Sequence, residues 1–227
     1  MTEVNDIFIL QIETATTNCS VAISKNGKTI AIREISNGFS HAENLHTFIK
    51  ELVESQKMTW NDFQAIAVSK GPGSYTGLRI GVSTAKGLCY ALDLPLISIE
   101  TLKSLACQVA ANSGVIIPMI DARRMEAYTA VFDVGYNELR ETEAEIVEST
   151  SYDTYLSEGN VFFIGNAVEK TQSVISHENA NFIEGKLPSA SEMSFLAYEK
   201  YKKSDIEDVA YFEPYYLKDF VVTPSKK

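Results

Sequence analysis

Apolar residues along this chain alternate with polar ones in some stretches, run together in others and recur at helical spacing in a third set. The order of these patterns predicts an α/β protein. Residues 7–12, IFILQI, form a short continuous apolar run, as expected of a strand buried on both faces. Residues 20–24 and 28–32 flank Asn26-Gly27, a dipeptide that tolerates the positive φ of a type I′ turn and so predicts a β-hairpin. Leu45, Phe48, Ile49, Leu52 and Val53 follow the i, i+3, i+4, i+7, i+8 pattern and predict an amphipathic helix over 41–56, with Ser40 and Glu43 as its capping box. A strand over 63–70 (FQAIAVSK), a helix over 74–92 opened by a glycine-rich stretch, and a strand over 94–100 (LPLISIE) complete a β-β-β-α-β-α-β order.

After a helix over 101–112 the order recurs. GVIIPMIDA, EAYTAVFDV and ELRETEAEIVES read as strands, followed by a short helical segment, the strand NVFFIGN, a helix over 167–177 and a short strand within 178–187. A last helix begins near Ser189, which is spaced with Glu192 as a second capping box, and packs back across the lobes. No residue-level repeat is visible, yet two lobes of one topology predict a duplicated α/β unit with an antiparallel hairpin at one sheet edge. The expected division is an N-terminal lobe over 1–104 and a C-terminal lobe over 105–227.

At 227 residues the chain is long enough for two lobes with cores of their own. Its formal net charge of −10 repels polyphosphates, so the chain alone is expected to bind RNA poorly. Cys19, Cys89 and Cys107 are odd in number and have no C-x-x-C spacing, which suggests small buried hydrophobes in a reducing compartment. The N-terminus MTEVND lacks a signal segment and no apolar run approaches the ~20 residues of a membrane span, so a cytosolic protein is expected.

The stretch KGPGSYTGLRIG, residues 70–81, looks like a phosphate loop but fits none of the usual templates. It has no lysine for a Walker A loop, Thr76 stands at the third glycine position of G-x-G-x-x-G, and Pro72 and Thr76 flank Ser74 where a nucleophile elbow needs glycine. Gly77, Gly81 and Ala85 lie at i, i+4, i+8 and share one helix face, a smooth groove that lets a neighbour approach closely. That neighbour is either this chain's own helix 41–56 or a partner subunit.

Histidines offer little. His41 and His46 are five apart, about 140° around a helix, and do not form an i, i+4 ligand pair, while His177 is distant. No protein-only metal site is expected, and His41 reads as a surface or hydrogen-bonding residue. Glu13-Thr14 ends the first strand, either as a contact for Mg²⁺-bound phosphates or as a solvated polar turn. Asp121-Ala122-Arg123-Arg124 occupies the corresponding turn of the second lobe, where bulky arginines replace the glycines a phosphate hairpin wants. Arg123 and Arg124 either pair with a partner's carboxylates or stand exposed; with Glu13 and Thr14 they mark an altered, vestigial nucleotide cleft.

ILQIETATTNCSVAI, HAENL, AIAVSKGPGSYTGLRIGVSTAKGLCYALDLPLISIETLKSLA and DARRMEAY together resemble the TsaB family of glycoprotease-like (YeaZ) proteins. The similarity is dense over residues 7–107, thinner to 132 and sparse beyond, where FIGNA and PYYL still match. The resemblance implies a duplicated, ribonuclease-H-like fold of the actin, Hsp70 and sugar-kinase superfamily. It implies a non-catalytic subunit of the machinery that places threonylcarbamoyl on adenosine 37 of tRNA. Partners implied are the catalytic subunit TsaD, the ATPase TsaE and, functionally, TsaC; tRNA is met only through the complex, and the chain alone forms a homodimer.

The TsaD site uses two histidines after the strand matching 94–99, where this chain reads IETLKSLA, so no catalytic or metal residue is expected here. Glu13 stands where the family fold leads one to expect aspartate. No tightly bound cofactor is implied; ATP or ADP with Mg²⁺ belongs, if anywhere, at the subunit junction. The resemblance places the TsaD interface on the two N-terminal helices, with Leu45, Phe48, Ile49, Leu52, Gly77, Leu78, Gly81, Val82 and Ala85 as candidate contacts. Two other classes compete: an autonomous ATP-dependent kinase-like enzyme of the same fold, and a glycoprotease-like peptidase, which the lack of H-E-x-x-H disfavours.

Overall fold

The computed structural model describes residues 6–36 and 41–218. The first sheet is built from β1 (Phe8–Glu13), β2 (Cys19–Lys25), β3 (Lys28–Ile35), β4 (Phe63–Gly71) and β5 (Leu96–Glu100), in the spatial order β3-β2-β1-β4-β5. β1 pairs antiparallel with β2 and parallel with β4, so the central strand joins a hairpin to a crossover half. Asn26 and Gly27 turn that hairpin with φ of 50° and 80°, the positive values a type I′ turn requires.

The second sheet repeats the arrangement. Its strands are β6 (Val115–Asp121), β7 (Glu126–Asp133), β8 (Glu138–Ile146), β9 (Val161–Ile164) and β10 (Ala180–Ile183), in the order β10-β9-β6-β7-β8. β6 is again antiparallel to one neighbour, β7, and parallel to the other, β9. Read from the edge hairpin inward, both sheets follow the same path, which is the duplicated ribonuclease-H-like unit. The repeat lives in the topology, because a sheet's path depends on burial pattern and turn chemistry and tolerates wide change in side-chain identity.

Helices α1 (His41–Ser55) and α2 (Tyr75–Leu92) cover one face of the first sheet, and α6 (Met193–Lys202) covers the other. The alternation of β1 divides it between them: Leu10 and Ile12 join the α1/α2 core, while Ile9 joins the core with Ala65, Ala67, Ala190, Met193 and Ala197. In the second sheet, α4 (Asp153–Glu158) and α5 (Val168–Gln172) flank the core containing Ile117, Met119 and Phe163. On the opposite face, α3 (Thr101–Ala106) contributes Leu102, Leu105 and Ala106 to a core with Ile116, Ile120 and Phe132.

Several local expectations are corrected. α3 ends at Ala106 and not at 112, because residues 107–114 turn back toward β6, with Gly114 at φ 98° beneath Asn160. α5 runs five residues, not eleven. The Ser189–Glu192 capping box does not form: Ser189 Oγ instead donates to Glu34 at 2.8 Å, Ser191 Oγ donates to Glu192 at 2.6 Å, and α6 starts at Met193. Tertiary polar partners outcompete the local cap. The Ser40–Glu43 capping box lies outside the described residues.

Beyond α6 the chain runs back over the first lobe. Glu207 N donates to Leu96 O at 2.8 Å, Lys86 Nζ reaches the carbonyls of Ala210 and Phe212, and Tyr215 N donates to Lys70 O at 2.7 Å. Lys218 then pairs with Glu126 of β7 and ties this strap to the second sheet.

Candidate functional site

The central strand β1 delivers Glu13 and Thr14 to the end of the first sheet, where the parallel neighbours β4 and β5 also terminate. In folds of this kind that is where ligands bind. Burial of the strand on both faces carries its last polar residue inside: Glu13 is fully buried, not solvated as a polar turn would be. Its Oε1 accepts from Ala15 N at 2.6 Å and Ser69 Oγ at 2.8 Å, while Oε2 is buried with no hydrogen-bond partner. Loss of hydration outweighs those donors and pushes the carboxyl up to about 7. The carboxylate is thus spent on closing its own turn.

The glycine-rich stretch meets the same turn from the other side. Ser74 caps α2 by accepting from Gly77 N, and Ser74 N donates to Ala15 O at 2.6 Å. A Cβ at Gly73 would collide with Ala15 O, one at Gly77 with Thr14 O, and one at Gly81 with Thr14 Oγ1. The face of Gly77, Gly81 and Ala85 is therefore filled by the end of β1. At Gly77 and Gly81 it is not an open seat for a foreign helix, which corrects that sequence reading, while Val82 and Ala85 share a buried core with Leu45, Ile49 and Leu52 of α1. Leu45, Ile49, Leu52, Leu78, Val82 and Ala85 are all buried in the chain's own core, with Phe48 half-buried beside them. Sequence spacing identified one coherent face of each helix; packing turned those faces inward.

A nucleotide fits this cradle poorly. Backbone of Thr14 and Ala15 occupies the space that glycines would leave for phosphate, Ser74 already satisfies a donor at the α2 N-terminus, and Glu13 has no route to a hydrated cation. His41 is also inside: Nε2 lies 2.7 Å from Thr16 O, Nδ1 is buried without a partner, and burial lowers its pKa. It fastens α1 to the turn after β1. Among the described residues no three His, Cys, Asp or Glu side chains stand together as a metal site.

The second lobe's turn differs. Arg123 and Arg124 both have positive φ, 74° and 54°, and both are exposed. Lys170 supports the turn from α5, reaching Asp121 Oδ1 at 2.5 Å and the carbonyls of Arg124 and Glu126. No hydrogen bond or ion pair joins Arg123 or Arg124 to Glu13 or Thr14 among the described residues. A cavity of about 440 Å³ lies elsewhere, between α3, the β7–β8 turn and α6, with Lys103, Cys107, Tyr136, Glu192 and Phe195 in its wall. Cys19 and Cys89 are buried and Cys107 is half-buried; loss of hydration pushes Cys19 and Cys107 up to about 11 and Cys89 up to about 12.

With that geometry established, comparison with known proteins decides the family. The family described as TsaD, tRNA N6-adenosine threonylcarbamoyltransferase, matches residues 38–224, most of the chain. The chain belongs to this TsaD family. Within it, the chain is 28 % identical over 221 residues to the tRNA threonylcarbamoyladenosine biosynthesis protein TsaB of Escherichia coli, spanning 94 % of this chain and 95 % of that protein. It is 35 % identical over 124 residues to the Bacillus subtilis protein of the same name, across 55 % of this chain and 54 % of that one. The structure of YeaZ from Pseudomonas aeruginosa superposes with a TM-score of 0.82 at 22 % identity, covering 93 % of this chain and all of that one, which shows a shared fold.

The segment after β5 reads TLKSLA. There α3 buries Thr101, Leu102, Ser104, Leu105 and Ala106 and offers no imidazole. The strap over 205–218 escaped the sequence reading. Its only local signal is the aromatic run PYY at 214–216, since a segment without regular structure carries no periodicity. No described helix is long and apolar enough to cross a membrane.

Proposed function

We propose that this chain acts in tRNA threonylcarbamoyladenosine biosynthesis as a non-catalytic subunit that binds and stabilises a TsaD-type catalytic subunit. The observation that carries this reading is the closed cradle: in a member of a transferase family, Thr14 and Ala15 are packed onto Gly73, Gly77 and Gly81, and Glu13 is sealed behind them. The full-length similarity to proteins named TsaB supports the same pathway. Any ATP or ADP with Mg²⁺ then sits at the junction with the partner, and TsaE, TsaC and tRNA are met through the complex, in the cytoplasm.

Because the predicted contacts face inward, the docking face is redrawn on the outer side of α1 and α2. Half-buried Phe48, Ile80 and Leu88 emerge there beside Ser83, Gly87 and Tyr90, which is 87 % exposed. A Cβ at Gly87 would meet nothing within 4 Å. The same face also suits self-pairing when the catalytic subunit is absent.

Reconstituted tRNA modification should require the chain, and unchanged turnover without it would reject the subunit role. By calorimetry, Gly87→Trp should weaken binding to the catalytic subunit by at least about tenfold while leaving the fold intact, as expected of a bulky group on a packed interface. Equal affinity would move the interface elsewhere.

A further inference from the structure

Five arginines are present in the chain. Arg33 and Arg140 are ion-paired with Glu51 and with Glu143 and Glu145, whereas Arg79, Arg123 and Arg124 are exposed and make no ion pair with any described residue. Arg79 and the Arg123-Arg124 turn stand at the two ends of a series of ring and ion-pair contacts that crosses from one lobe to the other. Arg79 lies over the Tyr75 ring at 4.8 Å and also reaches the Tyr216 hydroxyl; Tyr75 and Tyr216 lie 5.0 Å apart, centroid to centroid. Two residues on, Lys218 crosses to the second lobe, pairs with Glu126 and lies 5.8 Å from the Tyr128 ring. Arg123 and Arg124 lie in the turn between β6 and β7, the strand that carries Tyr128. Tyr215 and Tyr216, 45 % and 37 % exposed, and Met125, 38 % exposed, add flat or apolar surface along the way.

Charge in the strip is unlike charge in the chain. Lys218 offsets Glu126 and Lys170 offsets Asp121, leaving three guanidinium groups against Glu213 beside Tyr216 and Glu169 near Asp121. The chain as a whole is acidic, with a formal net charge of −10. A local cationic strip interleaved with aromatic rings suits a polyanion carrying flat π-faces, because bases stack on Tyr and Arg planes while guanidinium forks take phosphates. A purely acidic protein partner would have no use for the rings.

We propose that Arg79, Tyr216, Arg123 and Arg124 form a contact strip for a single-stranded segment of RNA, held across both lobes by the Lys218 strap. This rests on the reading that the chain works in tRNA modification, and it deepens that reading by assigning this subunit a direct share of RNA recognition. The repulsion of the acidic remainder keeps binding weak, local and sensitive to salt.

The test uses the full chain and a fluorescent ten-nucleotide single-stranded RNA, with affinity followed by anisotropy over a range of salt. R123Q/R124Q should weaken binding roughly tenfold and reduce the slope of log K against log salt by about 1.4, the value for two lost phosphate contacts on a single strand. Tyr216→Ala should weaken binding several-fold and Tyr216→Phe should restore it, since the ring and not the hydroxyl stacks. Absence of wild-type binding, an unchanged salt slope in the arginine variant, or equal competition by polyglutamate would overturn the RNA assignment; the last would point to an acidic protein partner. Calorimetry against the catalytic subunit separates the two readings. Normal assembly with unaltered RNA binding in the variants rejects only the strip, and failed assembly with the expected RNA losses rejects only the subunit role.

Discussion

The turn after β1 and the turn after β6 occupy the same place in two copies of one unit, and they have been put to opposite uses. Each central strand is approached closely by the loop that follows its parallel neighbour. Gly73 and Gly77 press on Ala15 and Thr14 in the first lobe, and Gly165, at φ 127°, sits where a Cβ would strike Met119 O in the second. What differs is the cover. The first turn is roofed by an α2 of eighteen residues and closed by Glu13, Ser69 and Ser74; the second is flanked by an α5 of five residues and leaves Arg123 and Arg124 in solvent. Topology fixes where a loop arrives, and the length of the following helix fixes whether that loop is sealed or open to other molecules.

The comparison is broken most severely by filling the close approaches. Gly81→Leu should cost several kcal/mol, because the side chain must displace Thr14 or the strand behind it, and Gly165→Ala should cost about 1–3 kcal/mol from its backbone conformation and the collision with Met119 O. Thermal denaturation of both variants measures this. A near-normal Gly81→Leu protein would mean that the turn after β1 is loosely held.

A smaller effect sharpens the difference in cover. Glu13 is held up to about 7 in the folded chain, against an ordinary value of 4.5. The folded state therefore keeps a proton that the unfolded state releases, so the contribution of Glu13 favours folding below about pH 4.5 and is lost as pH rises toward 7, at most roughly 3 kcal/mol across that window. Glu13→Gln should flatten the fall in stability between those limits, as read from denaturant midpoints at pH 5 and pH 8. The same fall in the variant would assign the dependence to another group. The smallest expected effect is on the open turn: Arg123→Gln should alter stability by less than about 0.5 kcal/mol, as for other exposed substitutions without a structural partner.

The two lobes were legible in the sequence to different degrees. Asn26-Gly27, the spacing of α1 and the apolar runs of β1, β4 and β6 each specify an element locally, and those elements formed. α5 and the Ser189–Glu192 cap were misread because short segments are settled by what packs on them: Ser189 turned to Glu34, a residue 155 positions away. The candidate site was half legible. Small residues at 77, 81 and 85 do announce a close approach, yet the spacing cannot say whether the approaching atoms belong to Thr14 or to another chain.

By itself, then, the sequence determined the order of strands and helices, the hairpin turn and the presence of a crowded glycine face, because these depend on periodicity and on the backbone freedom of neighbouring residues. Only the tertiary structure decided that Glu13 is sealed, that the glycines at 77 and 81 are occupied from within, and that Tyr75 and Tyr216, far apart in the chain, stack together. Burial and proximity between residues far apart in the chain are set by how sheets, helices and the returning strap stack, and no local pattern encodes them.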